Sequence, residues 1–245
     1  MKKYISLLVL LMAASAWAAD VGPVDVSAFK EPARVACVGD SITAGVGTYR
    51  TRGGSYPDQL GQMLGEKWVV KKFGKPGASL INQKGGYQKQ KKFKDALDFN
   101  PDVVVIMLGT NDTWPDNWKF KDEFVADYKD LISKFRNLPG KPRFFLCYPP
   151  PLPNGKSKWG HTEAGVLEEL PMIDKVAQDE KVGVVDIHGA LMGHPEMFAD
   201  GCHPNEKGAT VMAKTVFKAL TGKEYAGPDT VVAAPAPAAK KEKKK

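Results

Sequence analysis

The sequence predicts an α/β fold in which an open parallel β-sheet is covered by helices on both faces. Three observations point there. Short β-branched runs alternate with helical segments from residue 34 to residue 220, and each parallel crossover needs a returning helix. One run, "DVVVIMLG" (102–109), is apolar without alternation, as a strand buried on both faces must be. Polar, glycine-rich clusters follow the strands, which is where open sheets of this kind bind ligands.

In chain order, "RVACVGD" (34–40) is a strand running into a turn, "SYPDQLGQML" (55–64) a short helix and "WVVKKFG" (68–74) a second strand. The buried run at 102–109 is the third strand. "KFKDEFVADYKDLISKFRNL" (119–138) sets Phe124, Tyr128, Leu131 and Phe135 at spacings of three and four, an amphipathic helix. "PRFFLCYPP" (142–150) is a strand ended by prolines and "VGVVDIH" (182–188) a fifth, with a helix between them inside 162–181. A final helix runs from about Asn205 to Leu220 with Val211, Val216 and Leu220 facing inward.

The two ends have a different character. Lys2 and Lys3 precede "YISLLVLLMAASAWA", which is short for a membrane span and closes on Ala16-Trp17-Ala18. That is the pattern of a cleaved signal peptide over 1–18. It predicts export to the periplasm or outside the cell and a mature body, 19–226, without an integral membrane span. Residues 227–245 end in "TVVAAPAPAAKKEKKK", which has no core to bury and reads as a disordered tail. Its lysines suit contact with anionic surfaces. The formal net charge of +7 is concentrated in these two ends. The body is close to neutral, and nothing in it indicates a nucleic-acid partner. Three cysteines, Cys37, Cys147 and Cys202, are too few for a disulfide scaffold. One pair among them is compatible with the sequence, and at least one thiol stays free or pairs between chains.

The clusters are "GDSITAG" (39–45), "GKPGAS" (74–79), "GTND" (109–112) and, beyond the fifth strand, "DGCHPN" (200–205). Strand order alone sends all four to one sheet edge. Ser41 sits in a tight turn after the first strand, but a serine hydroxyl needs a neighbouring base to act as a nucleophile. Without one, it reads as a helix cap. His203 is such a base, and Asp200, three residues before it, can fix its tautomer. The plain alternative is a turn in which Asp200 accepts backbone N–H groups and His203 precedes a helix led by Pro204. The backbone N–H groups of Ser41 and Gly77 and the amide of Asn111 are candidate donors to a developing oxyanion. Each has an ordinary turn reading as well, and convergence on one edge favours the site.

Asp40 and Asp112 read as structural, capping N–H groups or bracing the oxyanion loops. His188, His194, Asp200, Cys202 and His203 fall within sixteen residues but lack the paired spacing of a metal motif, so no metal site is predicted. His161, in a Pro/Gly/Lys-rich loop, reads as solvated.

"GDSIT", the glycine of "GKPGAS", "GTND" and "DGCHP" resemble, in order, the four blocks of the SGNH hydrolases, also called GDSL-type esterases. The resemblance covers Arg34 to Leu220. It implies a three-layer α/β/α, flavodoxin-like fold with a five-stranded parallel sheet. It also implies Ser41 as nucleophile, His203 as general base and acid, Asp200 as orienting acid, and an oxyanion hole of Ser41, Gly77 and Asn111, with no cofactor. One departure is that Phe73 stands before Gly74, where the family often has Asn. The implied reaction is ester hydrolysis through an acyl-serine.

Substrate choice then falls to the loops at 48–56, 113–120 and 149–161, which bring Tyr49, Trp114, Trp118 and Trp159 with polar neighbours. Such a mixture suits a sugar ring, although aromatics also pack loops onto a body. The export signal and the "GTND" block are similar to those of secreted carbohydrate deacetylases. The expected substrate is therefore a small-molecule or glycan acetyl ester. The alternatives are a lysophospholipase- or thioesterase-type acyl hydrolase and a non-catalytic glycan-binding relic.

Overall fold

The structure is a computed structural model and describes residues 22–48 and 54–228. The segment read as a signal peptide (1–18), the tail beyond 228 and Tyr49 lie outside the described residues. Five strands form one sheet: β1 (Ala33–Gly39), β2 (Trp68–Gly74), β3 (Val103–Met107), β4 (Arg143–Cys147) and β5 (Gly183–Val185). Their spatial order is β2-β1-β3-β4-β5, and every pairing is parallel. The α-helices among the described residues are α1 (Ser41–Ala44), α2 (Tyr56–Leu64), α3 (Lys91–Asp98), α4 (Pro115–Trp118), α5 (Phe124–Arg136), α6 (Glu163–Glu180), α7 (Ile187–Leu191) and α8 (Glu206–Thr221).

The two-residue period of the strands divides the core into two apolar layers. Val35 and Cys37 of β1, with Val103 and Val105 of β3, pack against Tyr56 and Leu60 of α2 and Met212 and Val216 of α8. The intervening Ala36 and Val38, with Val104 and Ile106, pack against Phe124, Tyr128 and Leu131 of α5 and Ile173 and Val176 of α6. The unbroken apolar run in β3 thus serves both faces. Burying each of these larger side chains contributes about 1.5–3 kcal/mol.

The chain leaves β1 towards β2 on one side and leaves β3 towards β4 on the other. A crevice opens where the direction of winding reverses, at the carboxyl ends of β1 and β3. Helix caps place the segments that fill it. Asp40 Oδ1 accepts the Ile42 N–H at 2.8 Å, which starts α1 immediately after β1. Asn205 Oδ1 accepts the N–H groups of Lys207 and Gly208, which starts α8 directly after the Asp200–His203 turn.

Several elements differ from the sequence reading. The helix expected over 119–138 is confined to Phe124–Arg136 and preceded by α4 and a 3-10 turn. The fifth strand keeps three residues, because Asp186 Oδ1 accepts the Gly189 N–H and turns the chain into α7. Helix α3, missing from the sequence reading, is dominated by charged residues and fully buries only Ala96, with Phe93 and Leu97 packed half-buried beside it on the core. Pro171 lies inside α6, on an exposed position where a missing backbone donor faces water.

Cys37, Cys147 and Cys202 are all buried with free thiols. Cys37 and Cys147 lie on β1 and β4 with β3 between them. Two strand spacings, about 10 Å, exceed the reach of a disulfide.

Gly74 ends β2 against the turn that carries Ser41. A Cβ there would stand 2.2 Å from the Ala44 backbone nitrogen and 2.6 Å from the Asp40 carbonyl oxygen. Neighbouring Phe73 is buried against Phe99, and its carbonyl accepts the Tyr87 hydroxyl at 2.7 Å. The residue that departs from the family pattern therefore packs in the core. Gly74→Ala is expected to cost about 1–3 kcal/mol by overpacking against fixed backbone, read as a lower urea midpoint.

Candidate active site

Three segments distant in sequence meet at the crevice. Asp200 and His203 flank a short turn in which Asp200 Oδ1 accepts the backbone N–H groups of Cys202 and His203 at 3.0 and 2.8 Å. Those bonds leave Oδ2 facing His203 Nδ1 at 2.8 Å. An ionised carboxylate only accepts, so Nδ1 carries the proton and Nε2 is an acceptor. Across the crevice, 162 positions away in sequence, Ser41 Oγ–H points at that Nε2 at 2.9 Å. Burial opposes ionisation of Asp200. The backbone bond from His203, the imidazole bond and the other contacts outweigh it and hold the carboxyl below its ordinary value. An alcohol, an imidazole and a carboxylate are thus aligned in bonding range.

Gly77, with φ of 77°, lines the same cleft, and nothing lies within 4 Å of where its Cβ would be. Asn111 lines it as well. Its amide already donates to the Ala78 carbonyl at 3.0 Å and to Asp40 Oδ2 at 3.2 Å. Asp112 Oδ1 and Oδ2 accept the N–H groups of Ile81 and Leu80 at 2.7 and 2.8 Å. The loop that carries Gly77 is thereby tied to the end of β3.

A model of the GDSL-like lipase/acylhydrolase family matches residues 37–211, which include all of these groups. The chain belongs to this family. Its members are the SGNH hydrolases that the four sequence blocks resemble. The chain is 36% identical over 208 residues to an acetylxylan esterase of Xylanibacter ruminicola, a match spanning 76% of this chain and 43% of that protein. It is 29% identical over 154 residues to a multidomain esterase of Ruminococcus flavefaciens, covering 61% of this chain and 18% of the relative. It therefore spans less than half the length of these curated relatives. A solved carbohydrate acetylesterase from Sinorhizobium meliloti shares the fold with a TM-score of 0.61 at 18% identity, covering 76% of this chain and 97% of that one.

Around the GDSL-like site the cleft encloses about 1200 Å³. Trp114 and Trp159 line it and remain 46% and 43% exposed, so these two rings are available to a ligand. Trp159 stands edge-on to His203, with ring centroids 5.2 Å apart. Trp118 corrects the expectation that it faces the cleft. It packs edge-on against Phe124, its Nε1–H donates to Glu168 at 3.1 Å, and it is not among the lining residues. Lys84, Asp116, Asn117 and Lys119 give the outer cleft a polar wall.

His161 is another correction. It is half-buried in the cleft wall rather than solvated. Its signal was present in "SKWGH", a tight turn that places Trp159 and His161 near one another, with ring centroids 6.4 Å apart. His188, by contrast, is buried and pairs through Nε2 with Glu163 Oε1 at 2.7 Å. Glu163 Oε2 also takes the Leu152 N–H at 2.6 Å, which anchors the proline-rich loop to α6. His194 pairs with Glu196 at the surface. No group of three or more His, Cys, Asp or Glu among the described residues is arranged to hold a metal ion.

Behind the cleft floor lies a group of buried acids that sequence reasoning did not assemble. Burial pushes Asp40 and Asp112 each up to about 7 against the hydrogen bonds they accept. Glu169, on α6, is fully buried with neither oxygen partnered. It fits under Gly109, where a Cβ would stand 2.2 Å from Oε2. Burial, then repulsion from Asp112 and Asp40, raises its carboxyl well above the usual range. The folded state binds that proton more tightly than the unfolded chain does. The stability it contributes is present in full below the unfolded value, about 4.3, and is lost as pH rises towards the folded value. The cost of Glu169→Gln, measured by urea denaturation, is accordingly expected to shrink between pH 5 and pH 8. A constant cost would mean that Glu169 is not held protonated.

Proposed function

We propose that this chain, an ester hydrolase by family, is an exported serine esterase that releases acetate from O-acetylated carbohydrate. The observation that carries the reading is the continuous hydrogen-bonded row from Ser41 Oγ through His203 to Asp200, at 2.9 and 2.8 Å. In the first half-reaction His203 Nε2 takes the Ser41 proton while Oγ bonds to the acetyl carbon. Negative charge gathers on the former carbonyl oxygen, and the N–H groups of Ser41 and Gly77 and the amide of Asn111 receive it. For Asn111, the longer bond to Asp40 is the one to be shared with the oxyanion. Asp200 stabilises the imidazolium, which then gives its proton to the departing sugar oxygen as the ester C–O bond breaks. A water, deprotonated by the same nitrogen, attacks the acetyl-serine; acetate leaves, and the proton returns to Ser41.

The carbohydrate part rests on two exposed tryptophans in a polar-walled cleft, since an aromatic face packs against the C–H face of a sugar while hydroxyls find polar partners. The relative named above as an acetylxylan esterase supports it. Export rests on the charged, apolar and small-residue pattern of residues 1–18.

Ser41→Ala and His203→Ala are each expected to lower kcat by at least about 10⁴-fold and to abolish labelling by a fluorophosphonate probe. Retained labelling in either variant would remove the assigned roles. Among p-nitrophenyl esters, acetyl is expected to be preferred over octanoyl; the reverse order would favour a lysophospholipase- or thioesterase-type hydrolase.

A further inference from the structure

His203 protonates the leaving oxygen, so whatever stands beside His203 on the cleft wall stands beside the alcohol half of the ester. Two side chains do so, both from the turn 157–161. Trp159 meets the His203 ring edge-on, and His161 stands next to Trp159, ring centroids 6.4 Å apart, in the wall of the same cleft. This turn is held firmly. The Ser157 N–H donates to the His161 carbonyl at 2.9 Å, the Thr162 N–H donates to Thr113 Oγ1 at 3.1 Å, and the Gly160 backbone lies against Trp114.

The hydrogen bonds within the turn fix the His161 tautomer. Ser157 Oγ accepts the N–H groups of Trp159 and His161 at 3.3 and 3.2 Å. Its own hydrogen remains for His161 Nδ1, 2.9 Å away. Nδ1 is then an acceptor, and a neutral ring must carry its proton on Nε2. Burial first, and the neighbouring His203 second, lower the His161 pKa from the ordinary imidazole value and keep the ring neutral. Among the described residues no protein group takes Nε2, and Nε2 is not one of the sealed, partnerless atoms. A neutral N–H donor is therefore presented to the cleft on the leaving-group side.

We propose that His161 Nε2–H donates to a hydroxyl or ring oxygen of the sugar that leaves, making Ser157 and His161 a recognition pair for polyhydroxy alcohols. This rests on the carbohydrate-ester reading above. A simple aryl alcohol offers no acceptor there, so the pair separates sugar esters from aryl esters. The oxygen it binds does not react, and the bond is made equally in ground and transition states, so its loss belongs in KM.

The test is the ratio of kcat/KM for acetylated xylo-oligosaccharide to that for p-nitrophenyl acetate, measured on the full chain. In His161→Phe the ratio is expected to fall about threefold to tenfold, the worth of one neutral hydrogen bond, through KM for the oligosaccharide. In His161→Gln, whose amide nitrogen reaches the Nε2 position, the ratio should recover towards wild type. Ser157→Ala, which releases Nδ1 and lets the tautomer reverse, should give an intermediate ratio and serves if His161→Phe does not fold. A wild-type ratio in both His161→Phe and Ser157→Ala, or no recovery in His161→Gln, overturns the inference while leaving the carbohydrate reading in place. A wild-type protein that cleaves the aryl ester and no acetylated sugar overturns both.

Discussion

Gly39 pairs with Gly74 on one side and with Met107 on the other, so β1, β2 and β3 run out of the sheet at one level. The next residues of each strand must turn within the same few ångströms. Gly39 and Gly74 let those turns touch: a side chain on either would strike the Thr43 hydroxyl or the Ala44 backbone. The Ser41 turn is pressed against the β2 end by this crowding, and Asp40 is carried into the interior, where its oxygens reach Ile42 and Asn111. The orientation of Ser41, the pose of the Gly77 loop and the position of Asn111 all follow from strands that finish together.

The sheet was legible because its signal is apolar and periodic. Val103 to Met107 are buried without exception, and the sequence carried no polar interruption to obscure that. The meeting of Ser41, Gly77, Asn111 and His203 in one cleft was legible for a different reason, in that all four follow strands or precede a helix and so sit where an open sheet places its ligands. What stayed hidden depends on contacts between loops. Trp118 and Trp114 look alike in "TWPDNW", yet one finds Phe124 and Glu168 while the other meets Gly160. His161 and His188 looked equally uninformative, and only the fold gives one the cleft and the other Glu163. Charge-rich α3 escaped because its stripe is only Phe93, Ala96 and Leu97, three residues set among lysines and aspartates in an eight-residue helix.

The acids beneath the floor show how the protein trades stability for rigidity. Asp112 spends both oxygens on the backbone of Leu80 and Ile81, and Asp40 spends its own on a cap and on Asn111. These bonds lock two loops that line the cleft, as the proposed oxyanion donors would require. The cost is a cluster of carboxyl groups in low dielectric without a basic partner, which burial pushes towards the neutral form. Well-packed apolar residues would be more stable there, but none could hold the loops.

Asp200 and His203 sit just before α8, a helix that buries Met212, Val216 and Leu220 against α2 and the sheet; the Leu220 carbonyl also takes the N–H of Val24 at 2.7 Å. During synthesis Ser41 therefore emerges early and His203 only after most of the sheet has been made. A nascent chain held on the ribosome, even with all five strands complete, has no aligned imidazole until α8 docks. The order of the elements along the polypeptide leaves the row from Ser41 to Asp200 unassembled until folding is nearly done.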